Sequence, residues 1–194
     1  MKYFTPLNDL PVYDLTAELD KLIIDNHLVW DNGKNQFCLN TVPGRPSDYM
    51  FGTGSLTHDW ENSREVVDEY GNSTTVVELY ETPYQESDFT VLCDQFKNTL
   101  FEQAYNAICE KYVVGRIRIM RSRSKTCLSW HPDAHPRLHY PIKTQTGCFM
   151  VIEDEVMHIP QYTWWLTDTL KYHTAFNASK EDRIHLVTTV IDTK

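Results

Sequence analysis

The stretch Val113-Val114-Gly115-Arg116-Ile117-Arg118-Ile119-Met120-Arg121-Ser122-Arg123 decides the fold. It alternates isoleucine with arginine, the period of two expected of a strand whose faces meet different surroundings. From here the texture of the chain changes. Strand-like runs follow at about 125–130, 137–142, 148–153, 163–167, 171–177 and 183–191, separated by turn-rich pieces such as Thr144-Gln145-Thr146-Gly147 and Asn177-Ala178-Ser179-Lys180-Glu181-Asp182. Many short strands at close spacing imply an all-β barrel or jelly-roll sandwich.

Upstream the pattern is mixed. Residues 14–26 read as a helix, with Leu15, Leu19, Leu22 and Ile23 on one stripe and Asp14 as its N-cap. Residues 35–42 read as a strand that stops at Pro43-Gly44, and Arg45–Gly54 as a loop whose two glycines do not form a phosphate cradle. Five acids between Asp59 and Glu69 suggest a solvated loop or short helix, followed after Gly71-Asn72 by a strand at Thr74–Tyr80. The strongest helical signal spans 88–112, where Phe89, Leu92, Cys93, Phe96, Leu100, Ala104, Ala107 and Ile108 recur at three- and four-residue steps behind a Ser87 cap. The expected organisation is one mainly β domain over 1–194. A β core from 113 to 194 is buttressed by a helix-containing half, 1–112.

Length and composition narrow the function. A chain of 194 residues supports one sizeable core, and 41% apolar content excludes a disordered protein. Net charge of −9 and a pI near 5.3 argue against nucleic-acid or anionic-membrane partners. No stretch approaches a membrane span and Met1–Asp9 lacks a secretory apolar region, so the expected location is cytoplasmic. Five cysteines without CxxC spacing fit reduced thiols in that compartment.

The chemistry gathers late in the chain, where six of eight histidines fall between 131 and 185. His131 and Asp133, two apart in Trp130-His131-Pro132-Asp133-Ala134-His135-Pro136, point the same way from an extended segment. With His173 they supply two imidazoles and one carboxylate to a metal face. Such a set leaves coordination positions open, as non-haem Fe(II) oxygenases require. Arg183 reads two ways, as a cavity guanidinium for an anionic cosubstrate or as a rim residue paired with Glu181 or Asp182. Arg116, Arg118, Arg121, Arg123 and Lys125 read as an exposed or salt-bridged strand face, with steering of an anionic substrate as the other reading. A zinc hydrolase built on His131, Asp133 and His135 is disfavoured by Pro132 and Pro136 and by the absence of CxxC or HExxH.

The run from Trp164 to Val187, with Asp168, His173-x-x-x-Asn177 and Arg183-x-x-Leu186, resembles the aspartyl/asparaginyl β-hydroxylase family of Fe(II)/2-oxoglutarate oxygenases. His131-x-Asp133 followed by Arg137-x-His139-x-Pro141 resembles its proline-hydroxylase-like branch, and the likeness covers about 113–191. It implies a double-stranded β-helix (jelly-roll, cupin-like) holding Fe(II) through His131, Asp133 and His173. It further implies that Arg183 binds the distal carboxylate of 2-oxoglutarate, with Arg137 and His139 supporting the cosubstrate. The implied reaction consumes O2, decarboxylates 2-oxoglutarate to succinate and hydroxylates an amino acid or a residue in a peptide or protein. The animal branch lacks the metal carboxylate that Asp133 supplies here, so its peptide substrates do not carry over. Substrate contacts are expected from Asn35–Asn40 and Arg45–Gly54. Two other readings stand beside this one: a cupin-like metalloenzyme that does not use 2-oxoglutarate, and a non-catalytic jelly-roll binding protein.

Overall fold

The computed structural model describes residues 1–25, 27–30 and 35–194, with the backbone alone at 59–62. The N-terminal half carries strands β1 (Phe4–Leu7), β2 (Gln36–Cys38), β3 (Asn40–Thr41), β4 (His58–Val67), β5 (Ser73–Leu79) and β6 (Val91–Leu92), with helices α1 (Leu15–Ile24) and α2 (Leu100–Lys111). The C-terminal half is nearly all strand: β7 (Tyr112–Ser122), β8 (Thr126–Cys127), β9 (Arg137–Lys143), β10 (Cys148–Ile152), β11 (Glu155–Met157), β12 (Trp164–Thr167), β13 (His173–Asn177) and β14 (Arg183–Thr193). A six-stranded sheet runs in the order β1-β12-β9-β14-β7-β2, and a four-stranded sheet in the order β11-β10-β13-β8. The fold is mainly β and of jelly-roll type. Both edges of the large sheet come from the N-terminal half, so the sheet crosses the expected division at residue 113.

The alternation in β7 sorts that strand by face. Ile117 and Ile119 are fully buried in the main core with Leu15, Leu19 and Leu22 of α1 and Phe101, Ala104 and Ile108 of α2. Burying each such side chain contributes roughly 1.5–3 kcal/mol relative to exposure. The intervening residues Arg116, Arg118, Met120 and Ser122 turn the other way and line a cavity. The strand is therefore not an exposed charged face.

Helix α1 starts one residue after Asp14, whose carboxylate accepts from the Thr16 amide at 3.1 Å. Asn26, the last residue of the expected helix, lies outside the described residues. The expected helix over 88–112 is corrected to α2 alone, capped by Thr99, whose Oγ1 accepts from the Phe101 amide. Ser87 lies in a 3-10 turn instead. Upstream of Thr99 other partners claim the backbone. Cys93 N donates to Leu39 O at 2.9 Å, Phe89 O accepts from the Asn40 side chain at 2.6 Å, and β6 pairs with β3. Phe89, Cys93 and Phe96 are still buried, so an irregular segment mimics a helical stripe. The acid-rich stretch is not a loop or short helix either, for β4 pairs antiparallel with β5.

The loop over 45–54 is held against β7 by one side chain. Arg116 Nη1 donates to the carbonyls of Gly52 and Gly54, both at 2.7 Å. Gly52 has φ +88, and a Cβ there would stand 2.4 Å from a ring carbon of Phe89. Gly52→Ala is therefore expected to destabilise the protein by about 2 kcal/mol. Urea denaturation reads this directly, and an unchanged midpoint would mean that the Phe89 ring yields freely.

Candidate metal centre

His131 and His173 come together through the backbone. They form an isolated antiparallel bridge, His131 N donating to His173 O at 3.1 Å and His173 N to His131 O at 2.9 Å. Asp133 is tied beside them by its own amide, which donates to Thr169 O at 2.8 Å. One ligand atom from each of His131, Asp133 and His173 lies within 4.8 Å of the other two. Asp133 Oδ2 is 3.7 Å from His173 Nε2.

Ring orientation is fixed by the other nitrogen of each histidine. His131 Nδ1 lies 2.7 Å from Ser129 O, and His173 Nδ1 lies 3.0 Å from Lys171 O. A carbonyl can only accept, so both Nδ1 atoms carry a proton, and in the neutral tautomer this selects each Nε2 presents a lone pair. This is the outer support found behind metal-binding histidines. Burial, foremost, pushes His173 below the ordinary histidine range and favours its neutral form. Burial opposes the charged form of Asp133, yet the Arg137 hydrogen bond and charge hold its carboxyl below the ordinary aspartate range. Two neutral imidazoles and one anionic carboxylate fit a divalent metal with positions left open.

The cluster sits on the wall of a cavity of about 380 Å³ between the two sheets, which His131, Asp133, Arg137, His139, His173 and Arg183 all line. Arg137 is engaged: its Nε donates to Asp133 Oδ2 at 2.9 Å, and its Nη1 donates to Thr189 Oγ1 and lies 3.8 Å from Glu86 Oε1. Arg183 is buried and ion-paired with no carboxylate among the described residues. Asp182, expected as a possible rim partner, lies 3.9 Å from Arg121 instead. Arg183 Nη2 lies 3.0 Å from His185 Nδ1. A guanidinium only donates, so His185 accepts there and carries its proton on Nε2. His139 Nδ1 stands 3.5 Å from the same nitrogen. Burial, then the Arg183 charge, pushes both histidines well below the ordinary range. They form a neutral lining behind a guanidinium whose own pKa burial lowers to about 10.

Other residues resolve plainly. Asn177 holds the β13–β14 turn, donating to Ser122 O and Glu181 O and accepting from Ser179. Trp164 is buried and donates to Pro11 O, and His158 Nδ1 donates to Cys148 O. His135 does not line the cavity. From the N-terminal half, Asn35, Gln36 and Gly54 do, whereas Asn40 is spent on Phe89 O, Gly115 O and the Ile117 amide. Arg118 and Glu86 carry no motif. The signal for Arg118 was the alternation in β7, which puts its arginines on the face opposite the core isoleucines.

With this geometry in view, the likenesses to known proteins are informative. The family described as Aspartyl/Asparaginyl beta-hydroxylase matches residues 57–193. The chain is similar to L-proline cis-4-hydroxylase of Rhizobium meliloti (strain 1021), at 29% identity over 98 residues, which are 47% of this chain and 34% of that protein. It thus spans about a third of that relative's length. Among solved structures it is distantly similar to a 2OG-Fe(II) oxygenase family oxidoreductase from Burkholderia pseudomallei, at 14% identity, 69% and 71% coverage of the two chains and a TM-score of 0.37. It is also distantly similar to AviO1 from Streptomyces viridochromogenes Tue57, at 15% identity, 99% and 91% coverage and a TM-score of 0.43.

Proposed function

The chain belongs to the aspartyl/asparaginyl β-hydroxylase family, and on that premise we propose that it is an Fe(II)- and 2-oxoglutarate-dependent oxygenase hydroxylating an amino acid or a residue in a peptide. The observation that carries the reading is the cluster itself, in which both Nδ1 protons are spent on backbone carbonyls and one ligand atom from each of His131, Asp133 and His173 lies within 4.8 Å of the other two. His131, Asp133 and His173 would hold the metal. Bound there with 2-oxoglutarate, Fe(II) would activate O2, the oxidant, so that one oxygen atom ends in succinate as CO2 is lost and the other in the hydroxylated C–H bond.

The protein's own residues do the binding and positioning. Arg183 receives the distal carboxylate of 2-oxoglutarate, for which a planar fork gives bidentate geometry. His185, accepting from Nη2, restricts the rotation of that fork. Arg137 steadies Asp133 and lends positive charge to the cosubstrate side of the cluster, and His139 closes the wall as a neutral group. The surrounding sheets keep bulk water from most of this surface, which strengthens each charged contact. The curated relative's name points to free L-proline as one substrate to try first.

An anaerobic titration tests this without knowledge of the substrate. A weak visible charge-transfer band is expected only when Fe(II) and 2-oxoglutarate are both present. It should vanish in His173→Ala, while Arg183→Ala should need about 100-fold more 2-oxoglutarate to develop it. Metal binding without any band would leave the cupin-like reading, and absence of metal binding the non-catalytic one.

A further inference from the structure

Counting charges around the cavity leaves one guanidinium over. Arg116 is engaged by Glu86, Arg137 by Asp133 and Glu86, and Arg121 lies within 3.9 Å of Asp182. Arg183 and Arg118 have no carboxylate partner among the described residues. Of the two carboxylates of a 2-oxo diacid, one would lie at the metal cluster and the other on Arg183. Nothing then answers Arg118.

Arg118 and Arg183 occupy different ends of the cavity. On the large sheet Arg118 lies opposite Val187, which lies opposite His139 on β9. Arg183 lies opposite Ser122, four residues further along β7, or about 13 Å at 3.3 Å per residue. The two forks also meet different neighbours, Gln36 for Arg118 and His185 for Arg183. Arg118 is 9% exposed, and its Nη1 donates to Gln36 Oε1 at 3.0 Å. Its Nε has no partner. A buried guanidinium with no carboxylate at ion-pair distance is costly, and here one limb of the fork is fixed by a neutral amide and the shielded Nε is unsatisfied, while the residue lines the cavity.

We propose that Arg118, oriented by Gln36, receives the α-carboxylate of a free amino acid, which makes it the residue that selects a small acid over a peptide. The inference rests on the oxygenase reading above. Interior residues of a peptide present neutral amides to such a fork, and an amide cannot balance a buried cation.

The test loads the full-length protein with Zn(II) and 2-oxoglutarate, so that nothing turns over, and measures calorimetric binding of each proteinogenic L-amino acid and its α-carboxamide. At least one acid should bind, with its carboxamide weaker by about 30-fold or more, and Arg118→Gln should weaken the acid by about 30-fold while changing 2-oxoglutarate affinity less than about threefold. The acid–amide comparison needs no variant, so a misfolded Arg118→Gln would not spare the proposal. Equal binding of every acid and its amide, or undiminished acid binding by a folded Arg118→Gln, overturns it. So does a preference for an N-acetylated, C-amidated aspartyl peptide, which would move the recognised carboxylate to a side chain. Binding of 2-oxoglutarate in the same samples separates the two readings. If it binds and acid selectivity is absent, Arg118 alone is misassigned; if it does not bind, both readings fall.

Discussion

On the proposed function, replacing Asp133 by Asn is expected to lower metal affinity by about 100-fold or more and to take 2-oxoglutarate turnover to background, with the fold intact. Asn keeps the size of the side chain and one acceptor oxygen but not the charge. Asp133 is the only carboxylate in the cluster among the described residues. Without it two neutral imidazoles face a divalent ion, with the cation of Arg137 still nearby. Burial would by itself penalise the Asp133 anion, and Arg137 reverses that preference, so the site is built to hold a negative charge before metal arrives. Anaerobic Fe(II) titration with circular dichroism as the control decides the matter. An Asn variant that binds Fe(II) as tightly as wild type would place the metal elsewhere.

Glu86→Gln is expected to cost about 3 kcal/mol of stability at neutral pH. Glu86 accepts from Arg116 at Nε, Nη2 and the backbone amide, at 3.2, 2.9 and 2.9 Å, and its side chain is 12% exposed. Burial pushes its carboxyl up, but the Arg116 hydrogen bonds and charge, with the charge of Arg137, bring it down to about 2 from 4.5. A depressed folded-state pKa contributes stability that is complete above the unfolded value and lost as pH falls through the folded one. The contribution should thus be present above about pH 4.5 and fade towards pH 2. The wild type loses that part of its stability on acidification, whereas Glu86→Gln, having none to lose, shows a flatter curve over the same window. Urea midpoints from pH 7 to 2 measure both, and parallel curves would show that Glu86 is not the group responsible. Gly115 permits this arrangement, since a Cβ there would stand 2.6 Å from Glu86 Oε2.

What could be read from the chain alone was what is local. The His131-x-Asp133 spacing predicts two donors on one side of an extended segment, and the alternation of β7 predicts a strand with two unlike faces. Both are consequences of backbone geometry over a few residues. The pairing of β1 with β12, separated by most of the chain, has no such local sign. The false helix over 88–99 failed for a related reason. Its apolar period is real, but backbone hydrogen bonds to Leu39, Pro46 and the Asn40 side chain override it. Charge was legible in part. The arginine run reads as exposed or salt-bridged, and Arg116 and Arg121 do meet Glu86 and Asp182, but only the partners Glu86 and Gln36, distant in the chain, show why Arg116 and Arg118 lie inside.

The bridge between His131 and His173 also bears on how a metal would be held. These residues are forty-two positions apart, and closing such a loop carries an entropic cost that grows only slowly with its length. Because the two backbones pair directly, that cost falls on folding and not on coordination. An ion binding there would meet donors whose backbones are already held, so less of its coordination energy would go into ordering them, and a chelator that stripped it away would be expected to leave the strands joined.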